Sequence, residues 1–257
     1  MIPSEHAIWI IYSGRRRRFF DQFERENLVF LQTPGFAATP DTFSDIQKIR
    51  QHLRMADAIY AYNSKISVVN VPSRNPRSYS ALSDNKNRSF NQAAGNVDRL
   101  FNKVKLGDLV LSPAIGHYKG MLIGEVIKEW EASDKVAVDK LHDEEVPCRK
   151  VRWIHKEISR HDFPAQISQR IWNSHAVSEL DTVFYEDIYN IVFDNYVTEN
   201  KSKIDFHAPL YSSKDPLDTY EGGALIKYFT AAFLAHQNGR LDAFAAQDLT
   251  LIIHNYS

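Results

Sequence analysis

One stretch limits the folds open to this chain more than any other: Val104–Val126, V-K-L-G-D-L-V-L-S-P-A-I-G-H-Y-K-G-M-L-I-G-E-V. A helix end runs into Gly107, the residue type that most easily releases a chain from a helix. The apolar run Leu109, Val110, Leu111 follows as a strand, then a tight turn over Ser112–Gly120, then a second apolar strand, Met121–Ile127. A third strand is expected at Cys148–His155, C-R-K-V-R-W-I-H, after a charged segment, Ser133–Val146, that reads as a hairpin extension. Helix, strand, small-residue turn, strand and insertion, completed by a strand with a tryptophan, predict an α+β fold: a small mixed β-barrel flanked by helices.

The rest of the chain supplies the flanking pieces. Ala7–Ser13, A-I-W-I-I-Y-S, is a continuous β-type run suited to a strand buried on both faces. Gly14 allows a tight turn into a predicted helix, Arg15–Asn27, with Phe19, Phe20 and Phe23 on one side. Leu28–Gln32 is a short strand ended by Thr33-Pro34-Gly35, and Thr39-Pro40-Asp41 opens a helix with Ile46, Ile49 and Leu53 on its apolar face. Phe90, Ala94, Val97, Leu100, Phe101 and Val104 recur at helical spacing and predict a helix over Arg88–Lys105. Beyond Thr198 the character changes to a strand at Lys203–Ala208, a helical tail at Thr219–Gln247 and a terminal apolar strand, Leu249–His254. The expected division is a barrel domain over 1–180 and a mostly helical extension over 181–257.

Charge narrows the function. The 257 residues carry a net charge of −1, so bulk attraction to a polyanion is absent and nucleic-acid contact would need a local basic patch. Arg15, Arg16, Arg17 and Arg18 form one. In the first turn of a helix cations face the wrong end of the dipole, at about 0.3–1 kcal/mol each. A bound phosphate, using the same free N–H groups, reverses that penalty; the alternative is four solvated side chains. No apolar run approaches the roughly 20 residues of a membrane span, and the N-terminus lacks a basic segment before its apolar run. The expected setting is the cytoplasm, with no membrane partner.

The order of these elements resembles the PUA-like superfamily, in particular its YTH/EVE-like branch and the modified-base-reading domains of McrB- and Mrr-type prokaryotic restriction proteins. The pieces that match are I-W-I-I-Y-S-G and its following helix, G-D-L-V-L-S-P, H-Y-K-G-M-L-I-G-E-V, and R-K-V-R-W-I-H leading to I-S-R-H-D-F-P, across roughly residues 5–180. The resemblance implies a non-catalytic module of a restriction or anti-phage system that holds a base in an aromatic cage at the barrel mouth. It carries Trp153 and Phe30 to the cage positions, although YTH-type domains prefer tryptophan at the second. Tyr12, Ser13, Ser112 and Tyr118 would line the same pocket, and Arg15–Arg18 would hold phosphate. Flipped bases are recognised by stacking between aromatic faces and by hydrogen bonds to the base edge. Core packing is the competing role for Trp153, Phe30 and Trp9.

The implied partners are nucleic acid or a nucleotide, and a larger effector protein. An adaptor role is the other reading, with the helical tail and terminal strand docking that effector by strand addition. Catalytic readings are thinner. Asp108, Glu125 and Lys128 have the residue types of a metal-dependent nuclease, but Lys128 falls on the opposite strand face from Glu125. His155, His161 and Asp162 lack a further ligand at metal spacing. Cys148 is the single cysteine, so no disulfide forms within the chain, and Arg149 and Lys150 beside it would lower its pKa if it were exposed. With no phosphate-binding glycine loop, no cofactor and no metal are expected.

Overall fold

The computed structural model describes residues 2, 6–64, 70–80, 88–114, 120–141, 144–172, 175–198, 202–207 and 249–254. The chain divides into two compact units, Ala7–Tyr185 and a smaller one formed by Met1–His6 with Glu186–Ser257. The larger unit is a mixed α+β structure whose sheet curls into a half-barrel. Its strands are β1 (Ile8–Ile11), β2 (Leu28–Phe30), β3 (Leu109–Pro113), β4 (Met121–Val126), β5 (Lys135–Val138), β6 (Glu144–Ile158) and β7 (Val177–Glu179). They lie in the order β2-β6-β4-β3-β1-β7, with β5 also paired to β6. Only β1 and β3 run parallel, in the register Ile8–Leu109, Trp9–Val110, Ile10–Leu111; the other pairs are antiparallel.

The expected strands are all present, and the last is longer than expected because the charged excursion becomes the β5–β6 hairpin. Both faces of the central strands are buried, which is why they read as unbroken apolar runs rather than alternating ones. Trp9, Ile11, Val110, Leu122, Val126 and Val151 belong to the inner face, where they join one large core cluster. Ile8, Ile10, Leu109, Leu111 and Ile123 alternate with them and are equally sealed. The curl comes from β4 and β6, whose pairing shifts register on either side of Ile123. Gly124 sits at the shift: a Cβ there would stand 2.6 Å from the Trp153 ring and 2.7 Å from the Arg152 carbonyl. Glycine alone lets the two strands close over that indole.

Helices α1 (Phe20–Glu26), α2 (Ile46–Asn63), α3 (Arg88–Asp98) and α4 (Ala165–Trp172) all lie in connections between strands of this sheet. Phe20 and Phe23 of α1 are buried with Phe19, and the Phe30 ring lies 5.2 Å from Phe19 and 5.0 Å from Phe23, edge-on to the latter. Burying each such ring contributes about 1.5–3 kcal/mol. Asp45 caps α2, accepting from Gln47 N at 3.1 Å. Two expectations for helices need correction. The helix expected at Arg15 begins at Phe20, because Arg16 and Arg17 adopt left-handed backbone angles that no α-helix accommodates. The helix expected to reach Lys105 ends its α-helical part at Asp98 and closes with a π-turn, Arg99–Lys103.

The smaller unit holds α5, Tyr185–Val192 except for its first residue, and a three-stranded sheet of β8 (Tyr196–Val197), β9 (Ser202–His207) and β10 (Leu249–His254) in the order β10-β9-β8. The terminal strand expected to dock a partner pairs in parallel with β9 of its own chain. The expected helical tail, Thr219–Gln247, lies outside the described residues. Among the described residues no helix is long and apolar enough to cross a membrane.

Candidate anion-binding cleft

Where β1 ends, the chain reverses within five residues. Gly14 N donates to Tyr12 O at 2.8 Å, Arg17 N to Gly14 O at 3.1 Å and Phe19 N to Ser13 O at 3.0 Å. Gly14 has φ 77°, and a Cβ on it would lie 2.5 Å from the buried Phe19 ring, so no other residue fits. Arg16 (φ 53°) and Arg17 (φ 56°) also lie in the left-handed region. A non-glycine residue there costs on the order of 1 kcal/mol, and such strain persists where surrounding structure fixes it, most often at functional sites.

The turn borders a cleft of about 490 Å³. Arg15, Arg16 and Arg17 form one wall with Tyr12, and the segment Leu31–Thr33 after β2 lies beside them. The lining also includes α3, through Ala93, Asn96 and Val97, with Ala176 before β7. Positions 93, 96 and 97 share a helix face. Gln92 of α3 hydrogen-bonds the His175 ring, tying that helix to the segment bearing Ala176.

The cleft has a definite electrical sign: its lining holds three arginines and no carboxylate. Arg15 and Arg16 are exposed, and among the described residues no ion pair or hydrogen bond engages their side chains. Arg17 is half-buried, with its guanidinium carbon 3.7 Å from the centre of the Tyr12 ring. Burial pulls its pKa down, opposed by the Tyr12 hydroxyl; the Tyr12 hydroxyl also donates to Ile171 O at the end of α4. Arg17 is thereby a planar cation fixed against a ring, while Arg15 and Arg16 point charge into solvent. Arg18 does not line the cleft; its guanidinium lies over Phe19 at 4.5 Å.

The aromatic cage expected opposite these cations does not assemble at the cleft. Trp153 is 8% exposed, packs over Gly124 and donates its indole N–H to Phe23 O at 2.8 Å. Phe30 is fully buried between Phe19 and Phe23. Both are core residues, because pairing of Gly124 with Trp153 turns the indole to the inner face and α1 covers it. Ser13 and Ser112 are fully buried and do not line the cleft; their hydroxyls have no hydrogen-bond partner among the described residues. Tyr118 lies outside the described residues. Of the expected ligand contacts the structure brings together Tyr12 and Arg15–Arg17. It adds Asn96, Thr33 and the apolar wall of α3, which the sequence marks only by an asparagine beside apolar Val97.

The catalytic groupings weighed from the sequence do not form among the described residues. Asp108 is 2% exposed and accepts from Ala7 N at 3.0 Å, Trp9 Nε1 at 2.8 Å and Lys105 N at 2.8 Å, which makes it a structural carboxylate. Glu125 pairs with Arg152 at 2.6 Å and Lys128 with Asp134 at 2.8 Å, so the expected nuclease trio is dispersed. Cys148 is sealed, and burial pushes its thiol up to about 11, the reverse of an activated nucleophile. Among the described residues no group of three metal-ligating side chains converges. No protein-family model matches the chain, and no curated protein and no solved structure matches it either.

Proposed function

We propose that the Ala7–Tyr185 unit is a recognition module of PUA-like type that binds nucleic acid or a nucleotide without chemistry of its own, any effector being a separate protein. One observation carries the reading: three arginines and no carboxylate line a cleft of about 490 Å³, at a turn after β1 whose backbone is strained at Arg16 and Arg17. That volume is within the range of small-molecule sites, about 300–1,000 Å³, and suits one nucleotide. Arg15 and Arg16 hold phosphate, and the Arg17 plane, backed by Tyr12, offers a surface on which a base stacks. The base-holding role assigned to Trp153 and Phe30 thus moves to the Tyr12–Arg17 pair.

The test is fluorescence anisotropy with labelled single-stranded DNA and RNA oligonucleotides across a salt series. Each phosphate contact on a single strand contributes about 0.7 to the slope of log K against log salt. The double variant Arg15→Glu/Arg16→Glu is expected to bind at least about tenfold more weakly and to flatten that slope by about 1.4. Binding and slope that survive the double replacement would remove the reading.

A further inference from the structure

Asn96 is the polar side chain that α3 contributes to the cleft lining, and its amide has a fixed sense. Arginine only donates hydrogen bonds, so the atom facing Arg99 Nη1 at 3.3 Å is the Asn96 oxygen. The same Nη1 donates to Val177 O at 3.4 Å, which holds the guanidinium between α3 and β7. Turning the amide over would set its N–H groups against the guanidinium. Nδ2 is therefore the end left for the cleft, and it has no hydrogen-bond partner among the described residues. Asn96 is 7% exposed and lies between apolar Ala93 and Val97 in the cleft lining. A ligand that presents an acceptor to this donor gains a hydrogen bond, and one that presents a second donor leaves both groups unpaired.

We propose that Asn96 is the specificity-determining residue of the cleft: Nδ2 donates to an exocyclic carbonyl oxygen of the ligand's base. The cleft then favours bases with a carbonyl at purine C6 or pyrimidine C4 (guanine, uracil or thymine) over those with an amino group at that position (adenine or cytosine), which set a donor against a donor. This rests on the nucleotide reading above, with Arg15–Arg17 holding the phosphate. Arg99 is a positioning residue that keeps the amide from rotating.

The experiment is titration calorimetry of the full chain with GMP, UMP, AMP and CMP at low salt, with oligouridylate against oligoadenylate giving the same ratio if the mononucleotides bind too weakly to titrate. The keto nucleotides are expected to bind up to about tenfold more tightly, the worth of one hydrogen bond made against one lost. Asn96→Asp keeps an oxygen for Arg99 and replaces the donor with an acceptor, so the keto-to-amino ratio is expected to fall below one even as added negative charge weakens all ligands. Arg99→Met is expected to bring the ratio near one while phosphate affinity persists. Equal affinities in the native chain, or a ratio that Asn96→Asp leaves unchanged, overturn the assignment and leave the arginine-held phosphate intact. If neither mononucleotides nor oligonucleotides bind, the underlying reading falls with it.

Discussion

Two regions of the Ala7–Tyr185 unit hold arginine in opposite ways. Arg149, on β6, is 1% exposed, donates to Val104 O at 3.0 Å and lies 3.7 Å from Glu129. Burial pulls its pKa down while Glu129, Asp108 and Asp134 favour the charge. Arg15 and Arg16 have none of this: they are exposed, carry no side-chain partner among the described residues, and sit on a strained turn at the edge of a cleft. A cation enclosed with its own partners is part of the scaffold. A cation displayed without partners, on backbone that costs energy to form, is available to something outside the molecule. The difference lies in what surrounds the guanidinium, and it predicts separate effects on stability and on binding.

The largest effect is expected on the enclosed side. Arg149→Ala removes a fully buried side chain and leaves a cavity, at about 3 kcal/mol, whereas Arg149→Met fills the space and costs less. Urea denaturation of the two variants checks the order, and equal losses would show that the charge rather than the packing matters. Gly124→Ala comes next, at about 2 kcal/mol, because the new methyl meets backbone at Arg152 as well as the Trp153 ring; a shift in melting temperature reads it. Arg16→Gly has a smaller effect of opposite sign. It relieves the left-handed strain and is expected to raise stability by about 1 kcal/mol while weakening oligonucleotide binding.

The smallest effect concerns Cys148. Its thiol is raised from 9.0 to about 11, so the folded state keeps a proton that the unfolded state releases. Stability is expected to be unaffected by this group below about pH 9 and to decline between about pH 9 and pH 11. At neutral pH a thiol reagent should react only after denaturation.

Much of the scaffold was legible in sequence for a plain reason. Strands buried on both faces leave continuous apolar runs, as at Ile8–Ile11 and Leu109–Leu111, and α3 left a clear helical period. The facing of single residues was not legible. Leu28, Val29 and Phe30 are all buried, so nothing in that run distinguishes a ring at a barrel lip from one inside. The direction of Trp153 depends on its pairing with Gly124, 29 positions earlier, and on a register shift between two strands that no local pattern encodes. The arginines were visible as charge, but consecutive left-handed angles at Arg16 and Arg17 run against the preference of both residues. Asn96 acquires its role only from Arg99 and from the chain that lies across from it.

The parallel pairing of β1 with β3 sets an order of events during synthesis. β1 lies between β3 and β7, whose partners for it begin at Leu109 and Val177. Within this sheet β1 is made before its partners and thus waits for more than half the larger unit before either edge is covered. During that interval the segment Ile-Trp-Ile-Ile is an uncovered apolar template, open to joining strands of other chains. Such distant pairings also slow folding in general. Production yield, more than equilibrium stability, is where changes in this segment should first be felt.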